Sequence, residues 1–238
     1  MTEHTILITG CNRRLGYLLS CHFLARGFSV LAHYRTPSAE TEWLQNQGAI
    51  LLQADFSYPE QIISLIEKVK FQTDKLRAIV HNASTFCLNE TTIEAMLNQY
   101  DALYHVHMVA PALINTELKA HLERGAQPYA DIIHITDIYV NRPDPNFSLY
   151  CSTKAGLENL SLSFAKSFAP KIKVNTIQPG LAKFLSTHDE VQKEQTLSQI
   201  PLGREGGFEP IIETVDYLLS NQYVTGSVIK VDGGFSLD

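Results

Sequence analysis

The chain has 238 residues, of which 45% are hydrophobic and 18% are charged, a balance typical of a globular protein with a substantial core. The net charge of -6 argues against nucleic acid or an anionic membrane surface as the main partner. Four cysteines without CxxC spacing or a histidine cluster argue against a metal site or a disulfide framework, and they favour reduced thiols in the cytoplasm. The start of the sequence shows no signal-peptide pattern, and no run of about 18 apolar residues indicates a membrane span.

Apolar stretches rich in β-branched residues alternate with stretches of helical periodicity. The predicted strands are Thr5–Thr9, Val30–His33, Ile50–Gln53, Leu76–His81, Asp131–Thr136, Ile172–Ile177 and Ser227–Val231. The predicted helices are Leu15–Arg26, Ala39–Gln47, Pro59–Lys70, Ile93–Glu123, Phe147–Ala169 and Pro210–Ser220. This alternation predicts an α/β fold of Rossmann type, doubly wound, with a seven-stranded parallel sheet and helices on both faces. Ligands in such folds bind at the carboxyl ends of the strands.

No repeat, low-complexity tract or linker divides the sequence, which predicts a single domain over residues 1–238. One long irregular segment, Leu181–Gly207, follows the sixth predicted strand, with a short helix expected within Thr187–Gln199. Because a long connection at this edge of a sheet often covers a ligand, we expect a substrate lid there. An insertion without such a role is the alternative.

A glycine-rich turn joins the first strand to the first helix. It contains Gly10, Asn12, Arg13, Arg14, Leu15 and Gly16. Gly10 permits a backbone turn that a side chain would obstruct, and the helix amino terminus offers N–H groups to a pyrophosphate. The turn differs from GxGxxG because Arg14 replaces the middle glycine. Its position favours nucleotide binding over a purely structural turn.

The end of the second strand distinguishes the two nicotinamide dinucleotides. An NAD site usually has an acidic residue there, but this chain has Tyr34-Arg35-Thr36 and no acidic residue before Glu40. Arg35 and Thr36, together with Arg13, could bind a 2′-phosphate. We therefore expect NADPH, with a solvated surface arginine as the alternative interpretation.

Three residues predict the chemistry. Tyr150 and Lys154 are four positions apart and lie on one face of a predicted helix, and Asp137 follows the fifth strand. A lysine ammonium beside the phenol is expected to lower the tyrosine pKa, which is about 10 when unperturbed, so that the phenol can relay protons. Because they follow a dinucleotide-binding turn in the chain, the three residues favour hydride transfer from a nicotinamide. The alternative is that Tyr150 and Lys154 are only a pair on a helix surface and that Asp137 is only a turn residue.

Together these features resemble the short-chain dehydrogenase/reductase family over the whole chain. The matching residues are Thr9-Gly10 to Gly16, Asp55, Asn82-Ala83, Tyr150 with Lys154, Pro179-Gly180, Pro201-Leu202-Gly203-Arg204 and Val231-Asp232-Gly233-Gly234. We expect cofactor contacts from Gly10, Asn12, Arg13, Arg14, Leu15, Gly16, Tyr34, Arg35, Thr36, Asp55, Phe56, Asn82, Ala83, Ser84, Thr136, Tyr150, Lys154, Pro179 and Gly180.

Two departures indicate a narrower group. Most members have serine in place of Asp137 and glycine in place of Arg14, whereas pteridine reductases share both changes. The bacterial dihydromonapterin reductases also look similar at Ile8-Thr9-Gly10, Arg13-Arg14, Tyr34-Arg35-Thr36, Ala54-Asp55-Phe56-Ser57, His81-Asn82-Ala83-Ser84, Asp131-Ile132-Ile133-His134 and Val215-Asp216-Tyr217-Leu218-Leu219. This resemblance implies NADPH-dependent reduction of 7,8-dihydromonapterin to the tetrahydro form, with weak activity on dihydrofolate.

The resemblance also implies residue roles. Tyr150, Lys154 and Asp137 would be catalytic, and the pterin would contact Arg14, Ser84, Phe86, Asp137 and Tyr150. Phe86 matches a phenylalanine that stacks on the pterin. His107 stands where many members have an asparagine that supports a water chain to the lysine. It either substitutes for that asparagine or is a buried structural histidine.

Two other functions compete with this interpretation. A reductase of a ketone or a 3-oxoacyl thioester would carry serine at the position of Asp137, and a dinucleotide-sensing protein without catalysis would be expected to lose Tyr150 or Lys154.

The helices predicted at Ile93–Glu123 and Phe147–Ala169 are apolar over much of their circumference. The corresponding helices pair between subunits in this family, which implies a homodimer or homotetramer, and burial within one chain is the alternative.

Overall fold

A computed structural model of the chain describes residues 4–186 and 188–237. Its strands are β1 (Thr5–Thr9), β2 (Ser29–Tyr34), β3 (Ile50–Gln53), β4 (Ala78–His81), β5 (Ala130–Ile135), β6 (Ile172–Pro179) and β7 (Val228–Val231). The α-helices are α1 (Arg14–Ala25), α2 (Ala39–Asn46), α3 (Pro59–Gln72), α4 (Ile93–Tyr104), α5 (Ala110–Gly125), α6 (Ser148–Phe168), α7 (Glu190–Ser198) and α8 (Glu209–Ser220).

The strands form one parallel sheet in the order β3-β2-β1-β4-β5-β6-β7, which confirms the predicted seven-stranded, doubly wound fold. The strand order reverses direction between β1 and β4. The chain therefore leaves a crevice at the carboxyl ends of these two strands, where doubly wound sheets bind their ligands. No helix in the described part of the chain is long and apolar enough to cross a membrane.

Both faces of the sheet are buried, which explains why the strands are continuously apolar in sequence. Leu7 in the middle of β1 packs in one cluster with Leu65 of α3 and Leu118 of α5. Its neighbour Ile8 points to the other face and packs with residues such as Leu19 of α1. A one-residue shift in register would exchange the two faces, so this packing fixes where each strand ends.

The helix predicted over Ile93–Glu123 is interrupted. Five residues, His105–Val109, form a π-helical segment between α4 and α5. The segment packs against α6, since a Cβ on Gly156 would lie only 2.8 Å from the sulfur of Met108. The short helix expected within Thr187–Gln199 is α7, and Thr187 itself lies outside the described residues.

Several buried histidines take part in hydrogen-bond networks. His81 Nε2 bonds to the side-chain oxygen of Asn115 at 2.7 Å, and the Asn115 amide nitrogen lies 3.1 Å from His134 Nε2. His134 in turn bonds to Ser161 at 3.0 Å through Nδ1. Burial lowers the pKa of His81, and separately that of His33 on β2, to about 4. Both histidines are therefore neutral in the folded protein at pH 7.

Acid should therefore destabilise the fold before the carboxylates titrate. An unfolded chain protonates histidine below a pH of about 6.5, whereas the folded chain keeps His33 and His81 neutral down to a pH of about 4. The unfolded state then binds more protons, so the free energy of unfolding falls as the pH falls between these values. Each of the two histidines should contribute a loss of about 1 kcal/mol between roughly pH 7.5 and 5.5.

Urea unfolding at the two pH values measures this loss. The variant His33→Gln removes one titrating group, so its free energy of unfolding should change less with pH than that of the wild type. An equal pH dependence in the two proteins would contradict the assignment of His33 as a buried neutral histidine.

Candidate active site

A cleft lies at the carboxyl edge of the sheet, over the crevice between β1 and β4. Its walls come from the glycine-rich turn and from the ends of β2, β3 and β4, together with Phe208. It is lined by Gly10, Asn12, Arg13, Arg14, Leu15, Gly16, His33, Arg35, Ala54, Asp55, Phe56, Asn82, Ala83, Ser84, Thr85, Val106 and Phe208. Most of the predicted cofactor-binding residues therefore lie together.

Two glycines of the turn occupy positions that a side chain could not share. Gly10 has φ +76, and a Cβ there would lie 2.9 Å from the Cα of Ala83. A Cβ on Gly16 would lie 2.0 Å from the carbonyl oxygen of Gly10 and 2.6 Å from the amide nitrogen of Asn82. The Asn82 amide donates to the carbonyls of Thr9 and Gly10 at 3.0 and 3.1 Å. The turn is thus fixed close to β4 and leaves room for a ligand backbone beside the amino terminus of α1.

His33 supports this turn, and the sequence analysis missed it. Its Nδ1 accepts from the backbone N–H of Gly10 at 3.2 Å, so its Nε2 carries the hydrogen and donates to the carbonyl of Ala54 at 3.0 Å. The ring also stacks on Phe56, with centroids 4.0 Å apart and planes 2° apart. Residues two apart in a strand share a face, so the position of Arg35 could have indicated that His33 faces the cleft.

The residues predicted to bind the 2′-phosphate of the cofactor do not all lie together in the structure. Arg13 and Arg35 are exposed and both line the cleft. Tyr34 points to the other side of the strand and lines a separate groove with residues such as Phe71 of α3. Thr36 is exposed and is not part of the cleft wall. The structure therefore brings two cations to this end of the cleft, and it does not bring Tyr34 there.

Arg14 links the turn to the segment after β6. It has φ 51, in the region that glycine favours, as expected where a residue replaces the glycine of the usual turn. Its guanidinium donates to the carbonyl of Lys183 at 2.8 Å and lies 5.3 Å from the ring centroid of Phe208. Partial burial, followed by the nearby Arg13, lowers the pKa of Arg14, although an arginine remains charged at neutral pH.

The three predicted catalytic residues meet beside this cleft. Asp137 follows β5, where its Oδ1 accepts the backbone N–H of Tyr139 at 3.0 Å. Its Oδ2 accepts the phenol of Tyr150 at 2.8 Å. Lys154, one turn further along α6, donates from Nζ to the carbonyl of Ile135 at 2.9 Å. Tyr150 and Lys154 are almost completely buried, with 4% and 2% of their surface exposed.

The electrostatics correct one expectation from the sequence. Burial, and then the Asp137 carboxylate, raise the pKa of Tyr150 well above its usual value instead of lowering it. Lys154 donates its hydrogen bond to Ile135, and its ammonium lies 5.7 Å from the centroid of the Tyr150 ring. Burial also raises the pKa of Asp137 and lowers that of Lys154 to about 8. The phenol is therefore a neutral hydrogen-bond donor.

Ser84 and His107 extend the polar centre on the other side of Tyr150. The Ser84 hydroxyl lies 2.9 Å from His107 Nε2, and the other ring nitrogen of His107 lies 2.8 Å from the hydroxyl of Thr153. The imidazole meets the Tyr150 ring edge-on, with centroids 5.5 Å apart. His107 thus faces the catalytic residues and is completely buried.

Aromatic rings form the outer wall of the site. Phe86 is 51% exposed, stacks on Phe147 with centroids 4.4 Å apart, and meets Tyr150 edge-on at 4.9 Å. Tyr139 lies nearly parallel to Phe147 at 6.1 Å. The sequence indicated Phe86 only. Tyr139 lies in the irregular connection between β5 and α6, where no periodicity reveals which side chains meet, and Phe147 stands at the predicted start of the following helix, directly before α6.

The remaining predicted residues lie along β5 and β6. The Thr136 hydroxyl donates to the carbonyl of Ile177 at 3.3 Å and is buried. Gly180 follows Pro179 at the end of β6, where a Cβ would lie 2.7 Å from the Cβ of Asp232. Thr136 therefore helps to hold β5 to β6, and Gly180 lets the chain pass close to the segment after β7. No group of three or more potential metal ligands occurs within residues 4–186 and 188–237.

A parallel sheet with a glycine-rich turn at its switch point, and a tyrosine and lysine one helical turn apart, defines a dinucleotide-binding reductase fold. A family model described as "Enoyl-(Acyl carrier protein) reductase" matches residues 10–236. The chain therefore belongs to the short-chain dehydrogenase/reductase family.

Relatives with assigned names are similar over almost the whole chain. Dihydromonapterin reductase of Klebsiella pneumoniae is 40% identical over 231 residues, covering 96% of this chain and 95% of the relative. The Escherichia coli K12 protein of the same name is 36% identical over 229 residues, with the same coverage. The crystal structure of FolM alternative dihydrofolate reductase 1 from Brucella canis, complexed with NADP, superposes with a TM-score of 0.87 at 26% identity. That match covers 99% of this chain and 94% of the Brucella chain.

The close approach at Gly16 makes this residue a direct test of the turn. In Gly16→Ala the added methyl group would overlap the Gly10 carbonyl, so the turn must move. We expect a lower melting temperature and a loss of dinucleotide binding of at least roughly tenfold, in line with a cost above about 1.4 kcal/mol. Gly206→Ala is the matched control, since a Cβ there meets only Leu181 O at 3.4 Å. Equal dinucleotide affinity in both variants would contradict the role of the turn.

Proposed function

We propose that this protein is an NADPH-dependent reductase of dihydropterins that converts 7,8-dihydromonapterin to tetrahydromonapterin, with weaker reduction of dihydrofolate. The observation that carries the proposal is the 2.8 Å hydrogen bond from the Tyr150 phenol to the Asp137 carboxylate. Family members that reduce carbonyl groups carry a serine at this place to stabilise an oxyanion. The names of the relatives, and the NADP bound to the Brucella structures, support the same substrate class and cofactor.

The cleft fits NADPH by its shape and charge. Asn12, Leu15 and Gly16 would accommodate the pyrophosphate at the start of α1, and Arg13 with Arg35 would bind the 2′-phosphate. Asp55 and Phe56 would border the adenine, and Asn82 with Ala83 would lie along the nicotinamide half. When bound, NADPH supplies the hydride for the reduction.

The residues around Tyr150 fit a flat, polar substrate ring. The exposed Phe86 would stack on the pterin, which adds geometric definition beyond the area that is buried. Asp137 would accept from pterin N–H groups, and Arg14 would donate to the polar edge of the ring or to a phosphate of the cofactor. Lys154 is buried close enough to place a positive charge beside the reacting groups.

Tyr150 would supply the proton. Addition of a hydride to C6 of the C6=N5 bond leaves the electron pair on N5, and this nitrogen then takes a proton. Tyr150 is protonated at neutral pH and is held in the site by its hydrogen bond to Asp137, and as the general acid it would turn this hydrogen from Asp137 to N5. The basic N5 that forms during the reaction makes a phenol of ordinary or raised pKa a sufficient acid.

The segment 181–207 would form a lid over the substrate, as part of the single domain over residues 1–238. Arg14 donates to the carbonyl of Lys183 in this segment, and the N–H of Phe184 donates to Glu205 at 2.6 Å. Contacts of the turn with the segment support a role in covering the site. The lid would exclude water while the ring is reduced.

The proposal includes assembly into a homodimer or homotetramer in the cytoplasm. Ile93, Leu97 and Tyr104 form part of an exposed apolar stripe on α4, with 81%, 66% and 50% of their surfaces exposed. A second subunit covering this stripe would remove it from water. The four cysteines are free thiols, which supports a reducing compartment.

Initial rates of NADPH oxidation test the function. The purified protein would be given 7,8-dihydromonapterin, dihydrofolate and a β-ketoester in parallel, with NADH as the cofactor control. We expect saturable turnover of both dihydropterins with NADPH, fastest with dihydromonapterin. Turnover of the ketoester alone would overturn the substrate class, while leaving the family membership intact.

Two substitutions test the proposed acid and its partner. Tyr150→Phe should lower kcat by roughly 10²–10⁴, the usual contribution of a general acid, because the proton donor is removed. Asp137→Ser should lower turnover of the dihydropterin, because the phenol loses its fixed acceptor. Tyr217→Phe, at a phenol on α8, is the matched control for Tyr150→Phe. Wild-type turnover in Tyr150→Phe would show that another group supplies the proton. Unchanged pterin reduction in Asp137→Ser would contradict the proposed role of Asp137.

A further inference from the structure

His107 is completely buried at the centre of the π-helical segment, and both of its ring nitrogens are hydrogen-bonded. Nε2 lies 2.9 Å from the Ser84 hydroxyl and 3.4 Å from the backbone nitrogen of Thr85. Nδ1 lies 2.8 Å from the hydroxyl of Thr153. Segments of π-helix are rare and occur often at functional sites, and this one places an imidazole against the ring of Tyr150.

Two independent contacts fix the position of the imidazole hydrogen. A backbone N–H can only donate, so the contact from Thr85 makes Nε2 of His107 an acceptor. The Thr153 hydroxyl gives its single hydrogen to the carbonyl of Tyr150 at 2.9 Å, so it accepts from Nδ1. Both contacts assign the same neutral tautomer, with hydrogen on Nδ1. The Ser84 hydroxyl must then donate to Nε2.

The surroundings of His107 also keep it neutral. Burial, and then the nearby Lys154 ammonium, lower the pKa of His107 well below its usual value. Tyr150 is also in contact with His107, and its phenol is neutral at pH 7. An imidazolium at this place is therefore strongly disfavoured, so His107 cannot carry a proton between solvent and Tyr150.

The Ser84 hydroxyl has a second acceptor within reach. In the resting structure Ser84 bonds to His107 and Tyr150 bonds to Asp137, with no hydrogen bond between the two hydroxyls, but Ser84 lowers the pKa of the Tyr150 phenol against the effects of burial and of Asp137, which raise it. While the phenol is protonated, its hydrogen points to Asp137, so Ser84 has no need to donate to it. Once the phenol has given its proton away, the phenolate oxygen becomes a much stronger acceptor than a neutral imidazole.

We propose that Ser84 is a catalytic residue whose hydroxyl turns from His107 to the Tyr150 phenolate as the proton leaves, and that His107 is the positioning residue that holds this hydroxyl beforehand. In this step the Tyr150 O–H bond breaks and the N5–H bond forms on the substrate. No proton leaves Ser84, whose hydrogen only changes acceptor. Tyr150 recovers its proton from solvent after the product departs. The inference rests on the proposed function only in taking Tyr150 as the proton donor.

Nuclear magnetic resonance tests the resting state without any substrate. In protein labelled with ¹⁵N-histidine, the His107 signals are assigned by their disappearance in His107→Gln. We expect a protonated Nδ1 and an unprotonated Nε2 that do not change between about pH 8 and pH 6, because the imidazole is buried and neutral. Titration in this range, or a hydrogen on Nε2, would overturn the proposal.

Thr153 offers a matched pair of variants for the same readout. Thr153→Ser keeps the hydroxyl and should keep the Nδ1–H tautomer. Thr153→Val removes the acceptor, so a fraction of the Nε2–H tautomer should appear, in which Ser84 loses its acceptor. An unchanged tautomer in Thr153→Val would show that this hydroxyl does not fix the imidazole.

A double-mutant cycle tests the action of His107 through Ser84. Ser84→Ala should lower kcat on the order of 10²-fold, as for the loss of one donor to a developing negative charge. His107→Leu should lower kcat by less, and the double variant should be no slower than Ser84→Ala. His107→Gln, which keeps an acceptor near the Nε2 position, should recover part of the loss. Losses that multiply in the double variant would overturn the proposal.

The two proposals can fail separately. The cycle uses whichever substrate the protein turns over, and the magnetic resonance experiment uses none. A protein that reduces only the ketoester but shows the Nδ1–H tautomer and the non-additive cycle would refute the pterin assignment and keep this inference. A protein that reduces dihydropterins, but in which the losses from Ser84→Ala and His107→Leu multiply, would support the pterin assignment and refute this inference.

Discussion

The hydrogen bond between Tyr150 and Asp137 depends on where the strands of a parallel sheet end. Asp137 follows β5, while Tyr150 lies at the start of α6, and the sheet brings both to one edge. The same edge carries the glycine-rich turn after β1 and Ser84 after β4. Packing on both faces of the sheet fixes the register, and the register fixes which residues meet at the edge.

Burial then determines the protonation of this centre. Lys154, Asp137 and Tyr150 are withdrawn from water, and each has a pKa shifted toward its neutral form. A carboxylate beside a phenol disfavours the phenolate, so in the pair of Tyr150 and Asp137 the proton stays on Tyr150. This arrangement suits an acceptor that becomes basic only during the reaction. It differs from a site in which a lysine holds the tyrosine close to ionisation, as the sequence alone had led us to expect.

The sequence predicted the features that depend on local pattern. Buried strands, amphipathic helices and the turn at Gly10 leave signals in spacing and residue type, and the structure has these elements where they were expected. The features it missed depend on tertiary contacts. In the sequence His33 looks like an ordinary strand residue, because its hydrogen bonds to Gly10 and Ala54 form only when the chain folds. The π-helical segment around His107 leaves no trace in a helical pattern that continues on both sides.

The pH dependence of kcat/KM in the wild type and in Asp137→Asn tests the central claim most directly. Activity needs the protonated phenol, so kcat/KM should fall as the pH rises through the raised pKa of Tyr150, which lies above the pH of about 8 at which Lys154 loses its charge. Removing the carboxylate charge lowers that pKa, so the alkaline fall should move to lower pH in Asp137→Asn. An alkaline fall that does not move would contradict the account. A wild-type activity that already declines near neutral pH, as expected for a phenol ionised by Lys154, would contradict it as well.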